Sequence, residues 1–145
     1  MFGKLKEKLA GGASRLNGKT DLLEAICAIC ARVGAADGDY SETEAETALG
    51  KLMEHDTISV AFSSSQIEQT FNKMAKLARG GMSGRVQLKR EIDEAKAKNT
   101  RDDLEMALMI GIDVAAADGD IGDKEKAVLI EIGKVLGFDT VSYLA

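Results

Sequence analysis

Residues 21–39 read DLLEAICAICARVGAADGD. Up to Ala36, apolar side chains recur so densely that they cover most of the surface of a helix. A helix that is apolar on nearly every side belongs in the interior of a bundle. Asp37-Gly38-Asp39 then stops the helix, with Gly38 as a left-handed C-cap. The stretch therefore predicts a central, almost fully buried helix over residues 21–36 that ends at an acidic turn.

The signature of this stretch occurs twice. Ala35 to Asp39 recurs as Ala116 to Asp120, and a glutamate follows each copy at the same spacing, as Glu44 and as Glu125. Each copy predicts a buried helix, an acidic turn and a second amphipathic helix. Two such hairpins would pack about a pseudo-twofold axis to form a helical bundle. The sequence leaves open whether the two turns lie side by side, as one site, or at opposite poles, as two.

Composition and capping signals predict an all-α protein. The chain is 45% apolar, only 4% aromatic and free of proline, so helices must be ended by glycine or by caps. Ser41 with Glu44, and Ser65 with Glu68, match the capping box, and Thr100 with Asp103 is a weaker pair. We expect a compact bundle of about seven helices. Residues 1–19 would form a basic N-terminal helix and connector, and residues 20–145 a single helical domain that contains an internal repeat at an offset of 81 residues. The predicted helices span residues 1–10, 21–36, 41–55, 65–78, 83–98, 102–117 and 123–136, with 56–64 as a connector and 139–144 as a short helix or frayed tail.

Charge is distributed unevenly along the chain. Residues 1–19 hold five lysines and arginines against one glutamate, a net charge of +4, so the other residues carry −9 within the overall −5. An acidic body without a basic, aromatic-bearing patch argues against nucleic-acid binding. No apolar run is long enough to span a bilayer and no secretory signal is present, so the expected compartment is the cytoplasm. The basic N-terminus offers a weak peripheral contact with an anionic membrane surface.

Carboxylates cluster at both turns, where they repel one another unless something positive lies among them. Hard divalent cations, Ca²⁺ or Mg²⁺ before Zn²⁺, take several oxygen ligands from a short, sharply turning segment. The spacing is not that of an EF-hand, so any such site would be sparser and completed by backbone carbonyls and water. The candidate metal ligands are Asp37, Asp39, Glu44, Asp118, Asp120 and Glu125.

Local capping chemistry offers a competing explanation for most of these carboxylates. Glu44 completes the capping box, and Asp39 and Asp120 suit a turn or an N-cap. Asp37 and Asp118 fit less well, because a negative charge at the C-terminal end of a helix opposes the macrodipole. The case for a bound cation or a basic partner therefore rests mainly on these two aspartates.

The other reactive residues give little support for catalysis. Cys27 and Cys30 spell C-x-x-C inside the most apolar helix, and their repeat equivalents are Leu108 and Gly111. We interpret both cysteines as core residues rather than as a zinc or redox pair. His55, the single histidine, lies near a helix end and is interpreted as a dipole contact. Without a nucleophile–base pair or a phosphate-binding loop, the sequence predicts a protein that is not an enzyme.

Three stretches of the sequence carry a resemblance to a known protein family. They are Cys30-Ala31-Arg32 with Ala35 to Gly38 and Glu44, then residues 112–120 with Glu125, and finally Leu136 to Asp139. In this helical context the chain resembles the TerB family of tellurite-resistance proteins over residues 20–145. The resemblance implies a helical fold of two related halves and a non-enzymatic role in bacterial tellurite resistance and stress response.

The resemblance also carries expectations about ligands and partners. It implies that the six carboxylates of the two Asp-Gly turns bind divalent metal. The implied partners are a TerC-like integral membrane protein and TerD-like calcium-binding proteins, which would place the protein at the cytoplasmic face of the membrane. Gly122 stands where the first copy has Ser41, so we expect the second turn to lack a side-chain cap and the two sites to differ in rigidity.

The sequence thus supports three hypotheses of different classes. The first is a metal-responsive binding module of a membrane-associated resistance complex. The second is a metal-independent helical scaffold whose acidic turns dock basic partner surfaces. The third, thiol-based handling of tellurite by Cys27 and Cys30, conflicts with the burial predicted for both cysteines.

Overall fold

Helices make up the regular structure of the residues that the computed structural model describes, which are Leu16, 18–117 and 119–144. These residues form eight helices and no strand, which confirms the predicted all-α class. The predicted basic helix over residues 1–10 lies outside the described residues. Within the described part of the chain, no helix is both long and apolar enough to cross a bilayer. In chain order the helices are α1 (Thr20–Gly34), α2 (Glu42–Glu54), α3 (Asp56–Ala61), α4 (Ser64–Arg79), α5 (Gly81–Lys98), α6 (Arg101–Ala115), α7 (Asp123–Leu136) and α8 (Val141–Leu144).

Helix α1 lies at the centre of the fold, as its apolar surface predicts. It packs against α2, α4, α5, α6 and α7. Full burial of one large aliphatic side chain contributes about 1.5–3 kcal/mol, so α1 supplies a large share of the core. Its buried residues are Leu22, Leu23, Ala25, Ile26, Cys27, Ala28, Ile29, Cys30, Ala31 and Val33.

The end of α1 differs from the prediction. The helix stops at Gly34, with Ala35 as its C-cap. Gly38 has the expected left-handed backbone, with φ of 86°, but it lies in the turn after the helix and does not cap it. The last carbonyls are instead satisfied by a tightened turn, in which the N–H of Ala36 donates to the carbonyl of Val33 at 3.1 Å. The predicted helix end at residue 36 was therefore wrong.

The internal repeat is also a repeat of backbone hydrogen bonds. Each copy ends its first helix with the same two turn bonds and then passes through a glycine with positive φ, 86° at Gly38 and 117° at Gly119. L side chains rarely adopt that region, which explains why glycine stands at both positions. The donor–acceptor pairs are Ala36 to Val33 and Gly38 to Ala35 in the first copy, and Ala117 to Val114 and Gly119 to Ala116 in the second.

The two halves meet where α1 packs against α6. Gly111 on α6 approaches Ile29 on α1 so closely that a β-carbon added at Gly111 would lie 2.6 Å from Ile29 Cγ2. Gly111 is the repeat equivalent of Cys30. At this contact the second half therefore lacks the side chain that the first half carries, which lets the two helices approach.

The predicted connector over residues 56–64 was wrong, because it contains the short helix α3. His55 supplies the signal that was missed. It ends α2 and begins α3, and its Nδ1 accepts the N–H of Thr57 at 3.2 Å. A histidine side chain thus performs the N-cap role that serine or aspartate more often fills.

The capping box of α4 also lies two residues before the predicted one. Ser63 and Gln66 form it: the N–H of Gln66 donates to Ser63 Oγ at 3.2 Å, and the N–H of Ser63 donates to Gln66 Oε1 at 3.0 Å. Because glutamine serves as well as glutamate at the third position, the segment offers two overlapping matches. The structure uses Ser63 rather than Ser65.

The inner face of α7 is rotated from the predicted one. Ala127, Val128, Ile130, Ile132 and Val135 were expected inside, but only Ile132 of these is fully buried, together with Leu129, Gly133 and Leu136. Apolar residues occupy seven of the ten positions from 127 to 136, so periodicity alone does not define the register of α7. Close packing at Gly133 defines it instead, since a β-carbon there would lie 1.9 Å from Thr140 Oγ1. On α5, which begins at Gly81 rather than Ser83, Val86 was likewise expected inside and is 41% exposed.

Candidate functional site

The first acidic turn is organised by its own aspartate. Asp37 lies beyond the C-cap of α1, and its Oδ1 accepts the N–H of Asp39 at 3.0 Å. This is an Asx turn, in which a side chain replaces a backbone acceptor. The macrodipole acts mainly within the last turn of a helix. The premise that Asp37 ends the helix against its dipole was therefore wrong, and turn chemistry accounts for the residue.

A cation from elsewhere in the fold also reaches this turn. Arg85, on α5, donates from Nη2 to the carbonyl oxygen of Gly38 at 3.1 Å. The guanidinium thus lies beside a segment that carries Asp37 and Asp39. Part of the positive charge that the acidic turn requires is supplied by the protein itself.

Each turn leads into a helix whose glutamate reaches back to the chain. Glu44 Oε1 accepts the N–H of Ser41 at 3.2 Å, while Ser41 Oγ accepts the N–H of Glu44 at 3.1 Å. In the second copy Glu125 Oε1 accepts the N–H of Gly122 at 3.0 Å, and no side chain caps the helix in return. The predicted capping box at Ser41 and the missing side-chain cap at Gly122 are both confirmed. Each bond engages only one carboxylate oxygen.

The structure brings two of the six predicted metal ligands to a common cleft. Glu44 and Glu125 line the same cavity, so each half contributes one carboxylate to it. Asp37, Asp39 and Asp120 are exposed, and Asp118 lies outside the described residues. Among the residues that the structure does describe, no three histidine, cysteine, aspartate or glutamate side chains are grouped closely enough to hold a metal ion.

The cleft between the halves has an apolar floor and a polar rim. It has a volume of about 280 Å³ and is open to solvent. Helices α1 and α6 supply the floor, α2 supplies one wall, and the first turn of α7 contributes Glu125. The rim holds two carboxylates, one ammonium group and two threonine hydroxyls. The lining residues are Cys30, Val33, Gly34, Tyr40, Thr43, Glu44, Thr47, Ala48, Lys51, Gly111, Val114, Ala115 and Glu125.

Tyr40 is the least expected residue of this cleft. It is only 8% exposed, and its hydroxyl is buried without a hydrogen-bond partner among the described residues. The ring lies against Gly34, where an added β-carbon would be 2.7 Å from ring carbons and 2.8 Å from the hydroxyl oxygen. Burial raises the pKa of Tyr40 above its ordinary value, with Cys30 and Glu44 adding to the effect, so the phenol stays neutral.

Sequence reasoning missed Tyr40, although a signal was present. Within the repeat, the equivalents of Gly34 and Tyr40 are Ala115 and Ile121. The first copy thus pairs a glycine with a tyrosine where the second pairs two aliphatic residues. A coordinated difference inside a repeat indicates packing of one residue on the other, which is what the structure shows.

The two cysteines are buried thiols, as predicted. Cys27 is fully buried and Cys30 is 5% exposed, and both are free of disulfides. Burial raises the pKa of Cys30 to about 12 and moves that of Cys27 in the same direction. Because the thiolate is the reactive form, neither side chain is prepared for nucleophilic or redox chemistry at neutral pH.

His55 is a bridge between elements rather than a contact with one helix end. Its Nε2 lies 2.6 Å from Asp113 Oδ2 on α6, while its Nδ1 accepts the N–H of Thr57. Since Nδ1 is an acceptor, Nε2 carries the proton and donates it to the carboxylate. This hydrogen bond from His55 holds the pKa of Asp113 below its ordinary value. The pair ties α6 to the junction of α2 and α3.

Comparison with known families matches this fold over most of its length. The family model described as "Tellurite resistance protein TerB" matches residues 23–144, which includes both acidic turns and every lining residue of the cleft. Comparison with curated proteins and with solved structures gives no match. The chain belongs to the TerB family of tellurite-resistance proteins.

Proposed function

We propose that this protein is a non-enzymatic accessory protein of bacterial tellurite resistance and stress response that binds a divalent cation and acts with membrane partners. The family is generally a non-catalytic accessory domain. The observation that carries the proposal is the repeated helix–turn–helix unit, which presents carboxylates at equivalent positions and turns Glu44 and Glu125 toward one cleft. Two carboxylates from different halves would let a cation bridge the repeat.

The donor set favours Ca²⁺ or Mg²⁺ over Zn²⁺. The six candidates Asp37, Asp39, Glu44, Asp118, Asp120 and Glu125 are all oxygen donors, which hard cations prefer. Zinc sites are built mainly from cysteine and histidine, and here Cys27, Cys30 and His55 are buried or engaged in other contacts. Glu44 and Glu125 each keep one oxygen outside the capping bond, and the cation would complete its shell with water.

Calorimetric titration of the full chain with Ca²⁺, Mg²⁺ and Zn²⁺ tests this proposal. Two conservative variants remove charge and keep the local structure. Asp37→Asn retains the side-chain oxygen of the Asx turn, and the double variant Glu44→Gln/Glu125→Gln retains the capping bonds, since glutamine serves in a capping box. Glu68→Gln, at an exposed position on α4, is the matched control. We expect the charge-removing variants to weaken Ca²⁺ binding while the control binds as wild type does.

Absence of saturable Ca²⁺ or Mg²⁺ binding at millimolar concentration would refute the metal proposal. Equal binding by wild type and by the two charge-removing variants would place the cation elsewhere. Asp118→Asn, combined with Asp37→Asn, then tests whether the second turn contributes. The membrane partners, a TerC-like integral membrane protein and TerD-like calcium-binding proteins at the cytoplasmic face, are tested by co-purification with and without Ca²⁺.

A second candidate function is a metal-independent scaffold that docks basic partner surfaces. One observation favours it: residues 20–145 carry a net charge of −9, which attracts basic surfaces. In this function an arginine or lysine of a partner would take the place that the metal occupies in the first proposal. Partner binding that persists in excess chelator and falls with rising salt would favour the scaffold.

A further inference from the structure

We infer that His55 is a pH-sensitive switch, which caps α3 while its imidazole is neutral and releases the first turn of α3 when the imidazole is protonated. The ring makes two contacts with opposite requirements. Its Nδ1 must be unprotonated to accept the N–H of Thr57, whereas the contact of Nε2 with Asp113 tolerates a charged ring. Neither the cation proposal nor the scaffold proposal needs such a switch, so the inference goes beyond both.

The first argument is the chemistry of the cap. The Nδ1 atom of His55 lies 3.2 Å from the backbone nitrogen of Thr57 and is the side-chain acceptor at the start of α3. Helices α2, α4 and α6 are capped by the hydroxyls of Ser41, Ser63 and Thr100, which keep their acceptor lone pairs at every physiological pH. A helix as short as α3 is marginal by itself. A cap that is lost in mild acid therefore matters more at α3 than at a longer helix.

The second argument is the contact on the other side of the ring. Nε2 of His55 lies 2.6 Å from Oδ2 of Asp113, and the histidine side chain is only 8% exposed. The hydrogen bond from His55 holds the pKa of Asp113 below its ordinary value, so this carboxylate stays ionised across pH 5 to 8, where histidine ordinarily titrates. Protonation of the ring turns the contact into a charge-assisted ion pair. Acid thus strengthens the attachment of His55 to α6 and removes the cap of α3 in the same step.

The other charged groups near the ring do not interfere with this exchange. Among the described residues, Asp113 is the charged side chain within ion-pair distance of His55. Glu54 and Asp56 adjoin His55 in the chain and are exposed, and Lys51, one turn earlier on α2, has interactions of its own. A buried charge is tolerated where it is paired, and Asp113 provides the pair. No rotation of the charged ring restores the cap, because both of its nitrogens are then donors.

The consequence is a change in the surface that α3 presents. Thr57, Ile58 and Ala61 are buried, whereas Val60 is 75% exposed. Among the described helices, α3 packs extensively against α2 alone, so the cap contributes much of its attachment. Fraying of the first turn uncovers Ile58 beside Val60. The protonated state therefore presents apolar surface that the neutral state keeps covered.

NMR titration of the full chain from about pH 8 to about pH 5 tests the inference. His55 is the single histidine, so its ring signals need no assignment. We expect a neutral ring with its proton on Nε2, and a Thr57 amide shift that follows the titration of the ring. The N–H of Ser59 donates to the carbonyl of His55 at 2.9 Å. Its exchange protection, corrected for the intrinsic effect of pH, should fall about fivefold on protonation. The amide of Gln66, which the Ser63 hydroxyl caps, is the internal control and should not respond.

Two variants separate the switch from a merely structural role. Asparagine also accepts at an N-cap and does not titrate in this range, so His55→Asn should protect Ser59 equally at both ends of the titration. Asp113→Asn removes the partner of the charged ring. It should shift the titration of His55 to lower pH, and the Thr57 amide should follow that shift.

Four results would overturn the inference. They are a neutral ring protonated on Nδ1, an imidazole that does not titrate in this range, a Thr57 amide that does not follow the ring, and the same loss of Ser59 protection in His55→Asn as in wild type. All measurements are made in excess chelator. Their outcome is therefore independent of the calcium titration, which bears on the cation proposal alone.

Discussion

The contact between the two halves makes a prediction that depends on one β-carbon. Replacing Gly111 by alanine adds a methyl group 2.6 Å from Ile29 Cγ2, well inside van der Waals contact. Overpacking of a well-packed core costs about 1–3 kcal/mol. Against this, alanine in a helix interior is favoured over glycine by about 0.8–1 kcal/mol. We therefore expect Gly111→Ala to be neutral to destabilising by about 2 kcal/mol.

Gly50→Ala isolates the propensity term from the packing term. Gly50 is exposed within α2, and a β-carbon there would meet nothing within 4 Å. This variant should gain the full helix-propensity benefit of about 0.8–1 kcal/mol. The difference between the two alanine variants, about 1–3 kcal/mol, is then the cost of the contact itself. Urea denaturation followed by far-ultraviolet circular dichroism measures both free energies of unfolding.

A second substitution identifies the clashing atom. Ile29→Leu removes the branch at Cβ and should cost less than about 1.5 kcal/mol alone. Combined with Gly111→Ala it should recover most of the lost stability, because the methyl that the new β-carbon meets is gone. If Gly111→Ala proves as stabilising as Gly50→Ala, or if Ile29→Leu and Gly111→Ala are additive, the close approach of the halves at this point is refuted.

Three further results follow from the structure. Ser63→Ala should lower the free energy of unfolding by about 1 kcal/mol while Ser65→Ala changes it little, because only the first serine caps α4. The pKa of Asp113 is lowered in the fold, so its ionised form stabilises the protein above the pKa of an unfolded aspartate, and this contribution is lost as the pH falls through the folded pKa. The melting temperatures of wild type and Asp113→Asn should therefore differ at neutral pH and converge in acid. Cys27 and Cys30 should resist alkylation in the native protein and react on denaturation, and rapid native alkylation would contradict their burial.

How far the sequence predicted this fold depends on how local each signal was. The central helix, the Ser41–Glu44 capping box and the Thr100 cap were all predicted, because each rests on residues within one turn of one another. The register of α7 was not, because it depends on Thr140 packing against Gly133, and apolar periodicity there fits more than one face.

At the candidate site, too, contacts between distant segments could not be predicted from local sequence signals. The carboxylates were identified by their repetition, yet sequence could not place Glu44 and Glu125 in one cleft, since that depends on how α2 and α7 meet α1 and α6. The argument from Asp37 failed for a local reason. Its distance from the last helical residue decides between a dipole effect and an Asx turn, and helix ends are uncertain by one or two residues.

The two halves have the same backbone conformation at their turns, but the side chains around the two turns differ. Turn bonds and positive-φ glycines recur at equivalent positions, so the repeat maintains the frame. Among the described residues, the tyrosine packed on its glycine, the serine cap and the arginine contact at the turn occur in the first half. Removing the carboxylate charge at Glu44 and at Glu125 should therefore affect the two helices differently, because only Glu44 faces a serine that caps its helix in return.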